Sequence, residues 1–298
     1  MPVRDIKNGS PFERLRRTAF SNGVSDCGII PASEIDLSLF ERSVSDYPPG
    51  LAYLKNRSET RKNVKSWYPE TRSILICLYQ YWHKSLDYGK LSAGIKDPAG
   101  HLKRTGRKIP PFLKTGPLPE NPKISRYALS GDYHEILRAN LGKILGEIKK
   151  EFEGAEGNIF ADTSPVLEKE LARLAGLGTI GKNTLLLNGE LGSYFFIGGI
   201  ALNLDAGLRD FPAQGDPCRG CDKCVEACPT GALSVKGLAP LKCLSYWTTA
   251  SKAGAMPPEI LKNSRGWIYG CDVCQEACPY NKATRYSIMK ELMPIIED

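Results

Sequence analysis

Cys218-Arg-Gly-Cys221-Asp-Lys-Cys224-Val-Glu-Ala-Cys228-Pro229 is answered downstream by Cys271-Asp-Val-Cys274-Gln-Glu-Ala-Cys278-Pro279, with a lone Cys243 between them. The first run has the C-x2-C-x2-C-x3-C-P spacing of bacterial ferredoxins, in which three thiolates hold one iron-sulfur cluster and the fourth serves the other. Two [4Fe-4S] clusters are therefore expected. The spacing assigns Cys218, Cys221, Cys224 and Cys278 to the first. Cys271, Cys274, Cys228 and Cys243 go to the second, because the second run supplies only three thiolates and Cys243 is the spare thiol nearby. A zinc ribbon also pairs C-x2-C, but a tetrahedral ion needs four ligands and does not call for two C-x3-C-P endings. A disulfide framework belongs to short secreted chains, and the sequence opens with no signal-peptide pattern. Eight of the ten cysteines lie in this segment. They are expected to work in a reducing compartment, the cytoplasm.

The cluster segment occupies a quarter of the 298 residues, so the longer part before it must do something other than carry electrons. The pattern divides the chain into an α/β domain over residues 1–211, a ferredoxin-like double [4Fe-4S] domain over 212–286 and a C-terminal tail over 287–298. No apolar run approaches the ~20 residues that cross a bilayer, the longest being Tyr194 to Leu202, and a monomer with no membrane partner is expected.

Helices are expected from Ser10 to Asn22 and from Asp132 to Phe152, and strands at Cys27–Ile30, Ser73–Trp82, Asn158–Ala161 and Ser193–Leu204. Strands alternating with helices indicate the α/β class. Asp46 to Leu54 reads as turns, and Pro165 as the opening of a further helix. Cys27 and Cys77 read as small core-filling hydrophobes.

Net charge is +7 and unevenly spread. Between Lys96 and Arg126, eight Lys/Arg stand against Asp97 and Glu120, a local balance of +6. Six prolines in the same stretch predict a basic loop with no helix or central strand. Such a loop is either a solvated insertion or an arm that meets nucleic-acid phosphates.

Gly176-Leu-Gly178-Thr-Ile-Gly181-Lys182-Asn183 matches G-x-G-x-x-G. Phosphate motifs of this kind need a strand before and a helix after. Here the predicted order is reversed, so the glycines read as a helix stop and a tight backbone passage. Asp162, at a strand end three residues before Pro165, reads equally as a helix cap or as a functional acid.

The blocks Asp162-Thr-Ser-Pro165-Val-Leu-Glu168, Ala175-Gly-Leu-Gly178, Gly181-Lys182-Asn183 and Gly192-Ser193-Tyr194 complete a wider pattern. Together with Arg126-Tyr127-Ala128, Asp132-Tyr133-His134, Cys243-Leu-Ser245-Tyr246 and the double-cluster segment, they resemble the epoxyqueuosine reductases over nearly the whole chain. The resemblance implies a nitroreductase-like cobalamin-binding domain followed by the cluster domain. It implies reduction of the epoxide of epoxyqueuosine to queuosine at the wobble position of tRNA, with the anticodon loop and an external low-potential electron donor as partners. It makes Asp162 the proton donor, an acid expected to be buried so that it stays protonated at neutral pH, and a cofactor contact, and places Arg61, Ala128, Leu186, Ile197, Ser245 and Asp272 where family members touch cobalamin. His134 is expected to cap a helix or face tRNA rather than ligate cobalt. Many members continue into a helical-repeat domain that helps grip tRNA, whereas this sequence ends at Asp298. A corrinoid reductase of small molecules, similar to the dehalogenases, and a non-catalytic electron carrier stand as the alternatives.

Overall fold

The structure is a computed structural model that describes residues 9–33, 35–36, 51, 58–83, 95–115, 118–207, 215–251, 256–282 and 284–295. The turn reading of Asp46 to Leu54, apart from Leu51, and the domain boundary near Phe211 lie outside these residues.

Helix α1 (Pro11–Ser21) begins in a reciprocal capping box, the Ser10 hydroxyl accepting from the Glu13 amide and the Glu13 carboxylate from the Ser10 amide. There follow β1 (Asp26–Pro31), α2 (Ser58–Lys62), β2 (Ser73–Gln80), α3 (Pro98–Arg104), α4 (Phe112–Thr115), β3 (Lys123–Ile124) and α5 (Tyr133–Glu151). Next come β4 (Gly157–Phe160), α6 (Glu168–Leu174), a hairpin of β5 (Thr179–Ile180) and β6 (Leu186–Leu187), and β7 (Phe195–Leu202). The cluster segment supplies α7 (Lys223–Ala227), a hairpin of β8 (Leu233–Ser234) and β9 (Gly237–Leu238), α8 (Pro258–Lys262), β10 (Trp267–Tyr269) and α9 (Val273–Glu276).

The main sheet has four strands in the order β1-β2-β7-β4, and each neighbouring pair is antiparallel. Every residue of β2 is buried, as its unbroken apolar run requires. Its side chains divide with period two. Leu75, Cys77 and Tyr79 join α1 and α5 on one face, while Ile74, Ile76 and Leu78 join α6 on the other. Burying each such aliphatic side chain contributes about 1.5–3 kcal/mol, so this layering dominates the stability of the sheet domain. Cys27 and Cys77 are cross-strand partners inside the first layer. Burial pushes the Cys27 thiol up to about 12, as befits a core filler.

Two local expectations change. The basic segment does contain helix: Pro98 occupies the first turn of α3 and the Asp97 carboxylate accepts from the Gly100 amide. Proline breaks a helix interior but suits its start, where its missing N–H has no partner to lose. Pro165 opens no helix, and α6 starts at Glu168. In the C-terminal segment, Met289 and Leu292 are buried in the first layer of the core. The Ser287 and Ile295 amides donate to the carbonyls of Trp82 and Leu129.

The cluster segment is fastened to the sheet domain by a parallel pairing of β10 with β3 and by a buried ion pair. Asp272 is fully buried and accepts from the Arg126 amide at 2.8 Å, from the Arg126 guanidinium at 3.0 Å and from the Ser125 hydroxyl. Gly192 marks a second fastening. Its φ of 64° suits glycine, and a Cβ there would fall 2.1 Å from Asn281 Oδ1. Asn281 Oδ1 itself accepts from the Ser193 amide at 2.7 Å.

Removing Asp272 takes the buried carboxylate from Arg126 and leaves it the more exposed Glu276, 2.7 Å away. Asp272→Ala is expected to lower unfolding free energy by about 3–5 kcal/mol, seen as a fall in the urea midpoint. An unchanged midpoint would show that the pair holds nothing together.

Candidate active site

The chain leaves β4 at Phe160, and Asp162 follows in the left-handed region with φ 58°. Asp and Asn tolerate that region best among non-glycine residues, at a cost of roughly 1–3 kcal/mol. Hydrogen bonds offset it. The Asp162 amide donates to Glu168 Oε1 at 2.5 Å, the Thr163 amide to the Ala161 carbonyl at 2.6 Å, and Arg138 to the Thr163 hydroxyl.

The Asp162 carboxylate lies 2.9 Å from His134 Nε2, and its charge acts on the neighbouring Tyr133 hydroxyl. On the other side of the ring, His134 Nδ1 is 2.6 Å from Asp132 Oδ1. Asp132 also caps α5, accepting from the His134 amide at 3.0 Å, and stands 3.6 Å from the Arg107 guanidinium. Burial pushes the Asp132 carboxyl up, but the His134 bonds and the Arg107 charge outweigh it and hold the group below the ordinary carboxylate range. A histidine with a carboxylate at each nitrogen can take a proton at one and release one at the other.

The expectation of a buried Asp162 is corrected: 58% of its side chain is exposed. The turn carries the carboxylate past the end of β4, and burial falls on its neighbours instead. Burial, with the Asp162 charge beside it, pushes Glu168 up to about 8. The same two causes raise Tyr133.

A cavity of about 370 Å³ opens beside Tyr133, within the range of ligand pockets. One wall is aromatic: Tyr81, Tyr127, Tyr133, Phe195 and Phe196. Tyr133 stacks on Phe196 at 4.2 Å with planes 6° apart, and each such pair contributes roughly 0.5–1.5 kcal/mol to the rigidity of the wall. The lining also includes Cys228, Cys243, Cys271 and Cys274. Asn183 also lines the cavity, and its buried Nδ2 has no partner among the described residues.

The cysteines fall into two sets by the charges that act on each thiol. Cys218 acts on Cys224 and Cys278, and Cys278 in turn on Cys224 and Cys221 on Cys278. Cys228 acts on Cys243 and Cys271, and Cys243 and Cys271 on Cys274. The sets touch through Cys224 and Cys274, on the packed helices α7 and α9. Burial pushes Cys271 up to about 12, so thiolates form there only with a metal cation alongside. Among the described residues no three His, Cys, Asp or Glu converge on a single-ion site. A cubane, with iron at four corners, holds its thiolates further apart than one ion does. The glycine motif that resembled a phosphate loop serves the first set. Its Lys182 amide donates to Cys218 Sγ at 3.4 Å, and Lys182 Nζ donates to the Cys221 carbonyl at 3.1 Å and to Asp222 Oδ1 at 2.6 Å.

Of the expected cofactor contacts, Ser245 lines the cavity. Arg61, Ala128, Asp162, Leu186, Ile197 and Asp272 are not in its wall. Ala128 and Leu186 are packed into apolar clusters and Ile197 is half-buried against the one that holds Leu186. Asp272 serves the ion pair, and Arg61 is half-buried on α2. The sequence reading missed Tyr133, Arg107 and Asn183 and gave His134 a lesser role. The signal it carried was Asp132-Tyr133-His134, a cap residue two positions before a histidine.

Residues 217–281 match the family described as a 4Fe-4S double cluster binding domain. Residues 61–163 match the family described as Epoxyqueuosine reductase QueG, DUF1730. The epoxyqueuosine reductase of Leadbetterella byssophila is 36% identical over 290 residues, which cover 95% of this chain and 83% of that protein. Among solved structures, an epoxyqueuosine reductase with an epoxyqueuosine-modified tRNA-Tyr stem loop aligns at TM-score 0.73 and 26% identity, covering 95% of this chain and 68% of that one. A reductive dehalogenase described with B12-dependent dehalogenation shares the fold at TM-score 0.52 and 14% identity, covering 94% of this chain and 33% of that one.

Because Asp132 both caps α5 and orients His134, its loss has a structural component that can be measured by itself. Asp132→Ala is expected to cost about 1 kcal/mol in denaturant titration and Asp132→Ser, which still caps, only a few tenths. Equal losses in both variants would show that the cap is not what Asp132 contributes to stability.

Proposed function

Because the chain belongs to the epoxyqueuosine reductase family, we propose that it reduces the epoxide of epoxyqueuosine, at the wobble position of tRNA, to the cyclopentene of queuosine. One juxtaposition supports this reading above all. A single cavity is lined both by four thiols and by Tyr133, the tyrosine on which the Asp162 charge acts.

In this proposal Cys218, Cys221, Cys224 and Cys278 hold the outer [4Fe-4S] cluster. Cys228, Cys243, Cys271 and Cys274 hold the inner one, at the cavity. The residues of the cavity also suit cobalamin: a stacked aromatic wall for a flat macrocycle, the orphaned Asn183 amide and the Ser245 hydroxyl for its polar edge. Bound there, cobalamin would supply the low-potential reducing metal that protein side chains lack.

The chain's own contribution is protons, orientation and the exclusion of water. Converting the epoxide to the alkene takes two electrons and two protons and releases one water. Once the ring opens, the departing oxygen is an alkoxide and leaves only when protonated. Asp162 delivers that proton. Its exposed carboxyl group reaches the substrate side, while His134 holds it from behind, and the His134–Asp132 pair, steadied by Arg107, restores the proton after each turnover.

The tRNA is held electrostatically. The basic segment divides its charges: Arg107 and Arg126 turn inward, and Lys96, Lys103, Arg104 and Lys108 remain exposed. These four are the phosphate contacts, and their contribution weakens as salt rises. An external low-potential donor feeds the outer cluster. No described helix is long and apolar enough to cross a membrane.

Nucleoside analysis of epoxyqueuosine-containing tRNA, after incubation with reconstituted protein, cobalamin and a strong reductant, tests the reaction. Conversion is expected, and Asp162→Asn and Asp162→Ala should abolish it with iron content unchanged; full activity in both would remove Asp162 from the mechanism. Cys243→Ala should lose about half of the iron, since one of the two clusters loses a ligand. Undiminished iron in that variant would overturn the ligand set.

A further inference from the structure

The Asp162 turn is gripped on both flanks. Its backbone conformation is one that L-residues rarely adopt, and such conformations persist only where the surroundings fix them. His134 holds the carboxylate, and Arg138 holds the hydroxyl of the next residue. Among the described residues the Asp162 amide has one partner, Glu168 Oε1 at 2.5 Å, six positions along the chain. Glu168 is the first residue of α6, a helix pinned to the sheet by buried Leu171 and Ala172. The acceptor is thus anchored to a packed element rather than to the loop it holds.

We infer that Glu168 is a positioning residue for the reduction: its Oε1 latches the Asp162 amide to α6 and so keeps the donor carboxyl group against Tyr133 and His134, beside the cavity. The inference rests on Asp162 being the proton donor. Glu168 touches neither the cavity wall nor the substrate side. Its work is on the backbone, through one hydrogen bond that closes the turn from Asp162 to Leu167. Burial and the neighbouring carboxylate push Glu168 up to about 8, so the neutral acid predominates at neutral pH. Glutamine reproduces both its shape and its acceptor oxygen, whereas alanine removes the latch and leaves the amide without a partner.

Two measurements on the full chain with reconstituted clusters separate this role from bulk packing. Residue-resolved amide hydrogen exchange reads the latch directly. The Asp162 amide should be protected in the wild type and in Glu168→Gln, and should exchange about tenfold faster or more in Glu168→Ala, a loss of local protection. Steady-state conversion of epoxyqueuosine-containing tRNA reads the consequence. A misplaced donor costs on the order of 10²-fold, so Glu168→Ala should lower kcat by about 10- to 100-fold with KM within about twofold. Glu168→Gln should keep kcat within about threefold, because the acceptor remains. Should Glu168→Ala lose its fold, Glu168→Asp, which draws the oxygen back by one methylene, should show the same pair of effects. Equal exchange at Asp162 in all variants, or a kcat in Glu168→Gln as low as in Glu168→Ala, would overturn the latch. Conversion that survives Asp162→Ala would instead overturn the assignment of the donor, and the exchange result would still report on Glu168.

Discussion

A carboxylate taken wholly out of water must be paired and hydrogen-bonded or it destabilises the fold. Asp272 meets that condition with the amide and guanidinium of Arg126 and the hydroxyl of Ser125, and the rest of the architecture depends on it. Asp272 stands between Cys271 and Cys274, while Arg126 lies over the rings of Trp82 and Tyr194 at 4.8 and 5.2 Å. The ion pair therefore sets the thiol wall against the aromatic wall with little freedom to slide. Such pairs add little net stability over apolar packing, but a misaligned alternative would strand two charges. Registration is what the pair contributes here.

That registration allows the two halves of a reduction to arrive from opposite sides. The cysteine segment brings the thiols to the cavity, and the turn after β4 brings Asp162 to His134, next to Tyr133 in the cavity lining. The proton side is itself layered. The Asp162 carboxylate is exposed, while Tyr133, His134 and Glu168 around it are half-buried. An acid that must reach a large substrate cannot also be buried, so constraint is transferred to the residues behind it. The basic segment shows a similar division. Arg107 and Arg126 have been drawn inward to organise the site, and Lys96, Lys103, Arg104 and Lys108 face outward.

Much of this was legible in the chain, for identifiable reasons. Cluster ligation depends on short spacings, and the C-x2-C-x2-C-x3-C-P run declares itself within twelve residues. The strands and long helices were legible because apolar periodicity is local. The basic segment misled because proline count ignores position: Pro98 starts a helix that a proline two turns later would have broken. The burial expected of Asp162 misled for a different reason, since whether a strand-end residue is covered depends on elements far away in sequence.

By itself the sequence determined the iron-sulfur chemistry, the class of the fold and the block around Asp162, because each is written in contiguous residues whose spacing is the chemistry. Only the tertiary structure decided that the sheet is antiparallel throughout and that the glycine motif serves Cys218 rather than a phosphate. It alone closed the line from Arg107 through Asp132 and His134 to Asp162, and showed Glu168 holding that residue's amide. Those relations are distances between side chains and backbone groups up to tens of residues apart. No local pattern encodes them, because they exist only once the packed layers have fixed where each segment lies.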